Sequence, residues 1–237
     1  METSNLGLDR SKRGFALLYE VSRAIVSNRY LEEILLLVVS LTAELTHSKI
    51  CSLMLLDEEK QELVIKATQS LSEHYRTKLP IQVGESVSGR AVRERKPITV
   101  LDVTKDQDYK YPEIARSEGL KSLVSVPMMV RNKVIGVLNC YTTEEHLFTD
   151  HEVHILVSVA NQAALAIENT KLLAEKIAAM ESLEVRKKID RAKGILMTRH
   201  RIGEAEAYRM IQKQSMDKGR ALKEIAEAII VSQDLVV

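Results

Sequence analysis

The sequence predicts an α+β fold: an antiparallel sheet with flanking helices, then a long helix with a coiled-coil pattern, and a C-terminal three-helix bundle. Two pairs of short β-rich runs are each joined by a polar turn, a pattern typical of antiparallel hairpins. Neither Pro nor Gly occurs between Phe148 and Gly194, and apolar residues recur there at three- and four-residue steps, which is typical of one long helix.

The N-terminal elements follow from spacing and β propensity. Apolar residues at helical spacing predict amphipathic helices over 13–27 and 31–46. β-rich runs over 50–57 and 62–68, separated by a charged turn, predict the first hairpin. Cys51 falls inside this hairpin, and with Cys140 it has no metal-binding spacing, so both cysteines are interpreted as core residues.

Prolines and glycines punctuate the middle of the chain. They leave room for a short helix over 86–95, a brief strand over 98–101 and a looser helix over 112–118. β-rich runs over 122–130 and 134–142 predict a second hairpin, which closes an antiparallel sheet.

The long helix has an N-terminal capping signal and a repeating apolar face of the coiled-coil type. Thr149 is a good N-cap and Glu152 completes a capping box. The predicted coiled-coil seam consists of Val153, Leu156, Ala160, Ala163, Ile167, Thr170, Ala174 and Ile177. Glu181 and Glu184 interrupt this seam, so the domain boundary is predicted near Met180.

Beyond that boundary the chain is basic. Residues 186–223 hold 12 Lys or Arg against four Asp or Glu, a net charge of +8, which leaves −7 on the rest of the chain. Such asymmetry is typical of a nucleic-acid contact, although basic helices are also commonly only solvated. Gly203 and Gly219 precede two further helical patterns, so three short helices are expected to form a compact bundle.

The N-terminal part resembles the GAF domain. The resemblance is carried by the segments 84–89 (GESVSG), 123–127 (LVSVP), 134–139 (VIGVLN) and 148–152 (FTDHE). It implies a six-stranded antiparallel sheet and a small-molecule pocket between the sheet and the central helices. The expected lining comes from 83–91, 100–109 and 123–125, and the ligand and any cofactor remain unknown.

Three other uses of this part are weighed and disfavoured. The pattern of cyclic-nucleotide-binding GAF domains is only partly matched, because its acidic pair is split around His151. His151 and His154 have a spacing that could bind metal, but no third ligand lies nearby in the sequence, so no metal site is expected. No nucleophile has a sequence-local base and no phosphate-binding loop follows a strand, so an enzyme is not expected.

The C-terminal part resembles the ANTAR domain. The match consists of the segments 189–197 (IDRAKGILM), 204–208 (EAEAY), 215–216 (SM) and 222–226 (LKEIA). Similarity to that family implies binding to tandem RNA hairpins with short hexanucleotide loops, which prevents an overlapping transcription terminator from folding. The domains are therefore expected to be a GAF sensor at 1–150, a linker helix that completes it at 151–180, and an ANTAR domain at 181–237.

RNA loops expose unstacked bases. A domain that binds them needs cations for the phosphates, a flat side chain for base stacking and a place where the backbones can approach closely. The candidate RNA-binding residues are Arg191, Lys193, Gly194, Arg199, Tyr208, Arg209, Lys213, Lys218 and Arg220. Two alternatives stay open: Tyr208 is equally suited to the bundle core, and Gly194 could serve only tight helix packing.

The sequence thus favours a cytoplasmic, homodimeric, ligand-responsive RNA-binding regulator of transcription termination, without a membrane segment. Two alternatives from other classes are a DNA-binding transcription factor with a GAF sensor and a dimeric signalling module without nucleic acid. The acidic residues Glu224 and Glu227 on the third helix argue against major-groove reading.

Overall fold

The computed structural model describes residues 31–234 together with positions 16, 19, 20, 22 and 23. The helix predicted over 13–27 therefore lies largely outside the described residues. The described elements are α1 (Leu31–Thr46), β1 (Ile50–Asp57), β2 (Glu62–Thr68), α2 (Glu73–Arg76), β3 (Ile81–Gln82), α3 (Ser86–Glu94), β4 (Ile98–Val100), α4 (Pro112–Ser117), β5 (Leu123–Val130), β6 (Lys133–Tyr141), α5 (Asp150–His200), α6 (Glu204–Lys218) and α7 (Leu222–Asp234).

The six strands form one antiparallel sheet in the order β3-β2-β1-β6-β5-β4. The two predicted hairpins, β1–β2 and β5–β6, supply four of its strands, and they meet where β1 pairs with β6. The predicted α+β fold class is confirmed.

The two faces of the sheet bury different partners, because successive side chains of a strand point to opposite faces. One face carries Leu53 and Leu138 and packs against α1 and the first part of α5. The other face carries Ile50 and Tyr141 and packs in a cluster that includes Val87 of α3. This second face forms the interior in which the resemblance to GAF domains predicts a ligand pocket.

Two short elements escaped sequence analysis. Helix α2 has four residues and strand β3 has two, too few for either period to be recognised. Gly89 explains how β3 meets α3: a Cβ on Gly89 would lie 2.2 Å from the backbone oxygen of Gln82, so only glycine allows this approach.

Helix α5 is continuous over 51 residues, and its predicted capping box is confirmed. The backbone N–H of Thr149 donates to Glu152 Oε2 at 2.8 Å, and the N–H of Glu152 donates to Thr149 Oγ1 at 3.3 Å. The chain divides into two compact units, Met1–Thr170 and Lys171–Val237, called here the sensor unit and the reader unit. Within the described part of the chain, no helix has the length and apolar character needed to cross a membrane.

The structure corrects the prediction that the whole seam from Val153 to Ile177 pairs with a second chain. Leu156, Ala160 and Ala163 are fully buried in the sensor core, and Ile167 is only 8% exposed there. The first half of the seam therefore packs on its own sheet. Helical spacing of apolar residues marks a buried face, but it does not say which chain buries it.

Candidate nucleic-acid interface and sensor interior

Small and aliphatic side chains hold the reader unit together. Its buried core consists of Ala192 and Leu196 of α5, Ala207 and Ile211 of α6, and Ile225 and Ala226 of α7. Because half of these residues are alanines, the three helices can pack closely. The other faces of the helices carry the polar residues, as the predicted three-helix bundle requires.

Eight of the nine predicted RNA-binding residues are at the surface. The exposed members are Arg191, Gly194, Arg199, Tyr208, Arg209, Lys213, Lys218 and Arg220. They lie on the last turns of α5, along α6, and in the α6–α7 connection.

Arg209 and Lys213 form the best-defined pair of cations in this set. They lie one turn apart on α6 and so share one face of that helix, next to Tyr208. Among the described residues, neither side chain has an ion-pair partner. Both charges are available to phosphate groups.

Lys193 differs from the other candidates. Its side chain is 14% exposed, and Nζ lies 2.7 Å from Asp190 Oδ1 and 2.6 Å from Glu204 Oε1. The two carboxylates, Asp190 first, raise the pKa of Lys193. Lys193 therefore connects α5 to the first turn of α6, an interaction that the sequence did not indicate.

The structure supports neither of the two packing explanations, a core position for Tyr208 or tight helix packing at Gly194. Tyr208 is 39% exposed and lies outside the bundle core, so its ring is accessible. A Cβ on Gly194 would meet nothing within 4 Å, so tight packing inside this chain does not explain the glycine.

The reader unit has a second basic feature that was not predicted from the sequence. A cleft of about 330 Å³ is lined by Lys187, Lys188 and Arg191 of α5 and by Glu227, Ile230 and Val231 of α7, with Glu184 beside them. Lys188 pairs with Glu227 at 2.6 Å, so Glu227 neutralises a basic residue of the neighbouring helix. In the sequence, only the excess of Lys and Arg that begins at Arg186 pointed to this cleft.

The sensor interior contains a polar row across three strands. Ser52, Asn139 and Ser125 lie side by side on β1, β6 and β5, and all three are buried. The hydroxyls of Ser88 and Ser125 donate to Asn139 Oδ1 at 2.9 and 2.6 Å. Nδ2 of Asn139 has no hydrogen-bond partner among the described residues, an uncommon and costly state for a buried amide.

Tyrosines surround the polar row on one side. The Tyr75 and Tyr141 rings meet edge to face at 5.9 Å, and Tyr109 meets Tyr141 at 6.3 Å. The Tyr75 hydroxyl lies 2.9 Å from Ser52 Oγ, which connects the aromatic cluster to the row. Burial raises the pKa of all three tyrosines, so they are neutral at physiological pH.

Lys78 places its ammonium on this cluster. Nζ lies 3.7 Å from the ring centroid of Tyr75, 5.4 Å from that of Tyr141 and 5.5 Å from that of Tyr111. Burial lowers the pKa of Lys78 to about 7, and the charge of Glu118 opposes this shift. The site therefore combines a desolvated cation, aromatic side chains and an amide NH2 group that has no hydrogen-bond partner among the described residues.

Parts of the predicted lining do face this interior. Ser88, Tyr109 and Ser125 come from the three predicted stretches and contribute directly. The prediction omitted further members of the site, namely Ser52, Tyr75, Lys78, Asn139 and Tyr141. Ser52 and Asn139 could have been noticed, because they are polar residues inside otherwise apolar strands.

A separate cleft of about 770 Å³ lies where α1 ends and α5 begins. Its lining includes His47, His146 and His151, and His146 Nε2 lies 3.2 Å from Glu152 Oε2. Across the described residues, no group of three His, Cys, Asp or Glu side chains is placed to hold a metal ion.

These two units match two known families. The GAF domain model matches residues 28–168. The chain belongs to the GAF domain family. The ANTAR domain model matches residues 178–230, so a GAF domain is followed by an ANTAR domain, as the sequence motifs predicted.

Two relatives each match part of the chain. The methyl sulfide methyltransferase-associated sensor of Methanosarcina acetivorans is 30% identical over 156 residues, covering 64% of this chain and 16% of that protein. Transcriptional regulatory protein PdtaR of Mycobacterium tuberculosis is 40% identical over 63 residues, covering 27% of this chain and 31% of PdtaR. The chain thus spans less than a third of the length of either relative.

A solved structure supports the fold of the sensor unit. The GAF domain of a phosphoenolpyruvate-protein phosphotransferase from Coxiella burnetii superposes with a TM-score of 0.63 at 24% identity. The match covers 69% of this chain and 98% of that domain. At this identity the likeness concerns the fold alone.

Proposed function

We propose that this GAF-ANTAR protein is a ligand-responsive RNA-binding regulator that prevents transcription termination by binding tandem hairpins in nascent mRNA. The observation that carries the proposal is the exposed cationic surface of the ANTAR bundle, with Arg209 and Lys213 beside an accessible Tyr208. The hairpin target follows from the family, and the proposed site of action is the cytoplasm.

The chemistry of this surface suits an RNA loop. Arg and Lys neutralise phosphates, and Arg can also contact base edges in a bidentate manner. A tyrosine ring offers a stacking face to an unstacked base, which a loop presents and a duplex does not. Gly194 leaves open space on α5, where RNA backbone can approach closely.

Two hairpins suggest two copies of the reader unit, so we propose that the working form is a homodimer. Support comes from apolar side chains of α5 that are about half exposed in the single chain. These are Leu165, Leu172, Leu173, Ile177, Met180 and Leu183. Covering them with a second copy of α5 would remove apolar area from water.

The decisive experiment measures affinity for a two-hairpin RNA as a function of salt. For single-stranded sites, the slope of log affinity against log salt becomes shallower by about 0.7 for each phosphate that is no longer neutralised. Arg209→Ala with Lys213→Ala should therefore bind more weakly and with a slope shallower by about 1.4. The matched control, Lys60→Ala with Lys66→Ala, removes the same charge from exposed sites on the sensor unit and should leave the slope unchanged.

Three outcomes would contradict the proposal. If the Arg209–Lys213 double variant binds like the parent, the surface is assigned wrongly. If duplex DNA binds as well as the two-hairpin RNA, a DNA-binding regulator is favoured. If neither nucleic acid binds at physiological salt, a signalling module without nucleic acid remains.

A further inference from the structure

The sensor interior contains hydrogen-bond donors without acceptors. The buried Nδ2 of Asn139 carries two N–H groups and has no partner among the described residues. A buried donor without an acceptor destabilises the fold, unless a bound molecule supplies the acceptor.

Lys78 adds a second unsatisfied donor group. Two other lysines of the sensor unit are paired: Lys110 lies 2.7 Å from Glu85, and Lys105 lies 3.0 Å from Asp102. Within the described residues, the ammonium of Lys78 lies over aromatic rings and has no carboxylate at ion-pair distance. The acidic side chain that affects it, Glu118, accepts instead from the hydroxyl of Ser72 at 2.5 Å.

The two donor groups bracket the aromatic cluster. Lys78 lies over the Tyr75 ring and 5.4 Å from the Tyr141 centroid. Tyr141 and Asn139 are two residues apart on β6, so they point to the same face about 7 Å apart. Between the ammonium and the amide lie the rings of Tyr75 and Tyr141, whose hydroxyls are hydrogen-bonded to Ser52 and Tyr109.

We propose that the sensor unit binds a small aromatic carboxylate: its carboxylate pairs with Lys78, its ring packs against Tyr75 and Tyr141, and an acceptor at its far end takes the N–H of Asn139. This inference rests on the proposed sensor role and names the class of ligand. An anion satisfies Lys78 without displacing it, whereas a cationic ligand would compete with Lys78 for the same rings and leave Asn139 unpaired.

The direct test is calorimetry of the full-length chain with 4-hydroxybenzoate. Comparison probes are benzoate, which lacks the far acceptor, neutral 4-hydroxybenzamide, and the cation phenyltrimethylammonium. We expect 4-hydroxybenzoate to bind tightest. Lys78→Met, which keeps the chain length but removes the charge, should weaken binding about 10- to 100-fold, the usual value of a charge-assisted hydrogen bond.

Matched variants separate a specific effect from a folding defect. Lys78→Arg should restore most of the affinity, because it returns the cation, and Lys60→Met removes a surface lysine and should bind like the parent. Lys78→Met should not lower the melting temperature at pH 7, since the ammonium it removes is desolvated without a counter-ion.

The pH dependence supplies an independent readout. Lys78 titrates near pH 7 in the free protein, and a bound carboxylate would raise its pKa. Affinity should therefore be flat below pH 7 and fall by up to about tenfold per pH unit above it, with proton uptake on binding. The groups facing Lys78 are Tyr75, Tyr111 and Tyr141, whose pKa values burial raises, and the Glu118 carboxylate, so the tyrosines stay neutral in this range.

The outcomes are distinct. Tighter binding of the cation or of the neutral amide, no binding of any probe, or unchanged binding by Lys78→Met would each overturn the inference. Equal binding of benzoate and 4-hydroxybenzoate would remove Asn139 from the site. RNA affinity measured without probe tests the proposed function separately, so either idea can fail while the other stands.

Discussion

Lys193 occupies the centre of the ANTAR signature, and its ammonium is held between Asp190 and Glu204. An RNA-contact role was predicted from its charge and motif position and stays a prediction. The structure adds a second role, since the same charge connects two helices of the bundle. Replacing Lys193 alone therefore confounds RNA binding with bundle stability.

Glu204→Gln separates these two roles. It removes the charge of the ion pair to α6 but leaves Lys193 charged, so we expect a lower melting temperature with RNA affinity maintained or increased. Lys193→Ala should lower both quantities, whereas Lys213→Ala on exposed α6 should lower RNA affinity only. Thermal unfolding and RNA titration of the three variants check this, and full RNA affinity for Lys193→Ala would exclude Lys193 as a contact.

The sequence shows which side chains are polar or charged, but it does not show which of them are in contact. Asn139 and Ser52 stand out as polar positions in apolar strands, yet only the pairing of β1 with β6 brings them together. Lys78 follows a four-residue helix that has no recognisable period, so nothing in its neighbourhood predicts a contact with three tyrosines.

Elements with a strong period were predictable to within about one or two residues. Both hairpins and α3 appear where alternation and turn residues placed them. The seam of α5 shows the limit, since its first half is buried by its own sheet. Periodicity reports that a face is covered, whereas the covering partner depends on the tertiary fold.

The proposed dimer therefore depends on apolar residues that this chain leaves exposed. Leu173, Ile177 and Met180 succeed one another at steps of four and three along α5, so they share one face. Leu173→Glu with Ile177→Glu would place two charges on that face. We expect the sedimenting mass to halve while the melting profile of the sensor unit is retained.

Two controls make this result interpretable. Leu71→Glu, at a loop position that is 93% exposed, should leave the mass unchanged. Ala163→Glu with Ile167→Glu should unfold the sensor core instead, because both residues are buried within their own chain. If the protein stays dimeric after the Leu173 and Ile177 substitutions, this face of α5 is not the dimer interface.

For the molecule as a whole, the proposal requires that the sensor influence the reader. Glu181 and Glu184 are exposed and interrupt the apolar spacing of α5 near the N-terminal end of the ANTAR match. We propose this stretch, called here the junction, as the two-state element. Glu181→Leu with Glu184→Leu should extend the apolar face and stiffen it. A coupling of about 1 to 3 kcal/mol between ligand binding and RNA binding corresponds to about a 5- to 150-fold change in RNA affinity when the ligand binds. The double variant should lose this response to the ligand.

The measurement is RNA affinity with and without 4-hydroxybenzoate for parent and double variant. Glu181→Gln with Glu184→Gln serves as the control, since it removes the charges without adding apolar surface. If the leucine variant keeps the full response of the parent, the junction does not transmit the signal.

The unbroken 51-residue course of α5 also restricts how the length of the protein can vary. Each residue inserted into a helix advances the downstream residues by about 1.5 Å and rotates them by about 100°. Two added residues would turn every downstream side chain to nearly the opposite azimuth, whereas seven would return it to within about 20°. Chains built on this plan should therefore tolerate insertions between the domains best when the added residues complete nearly whole helical turns, such as about seven, 11 or 18 residues.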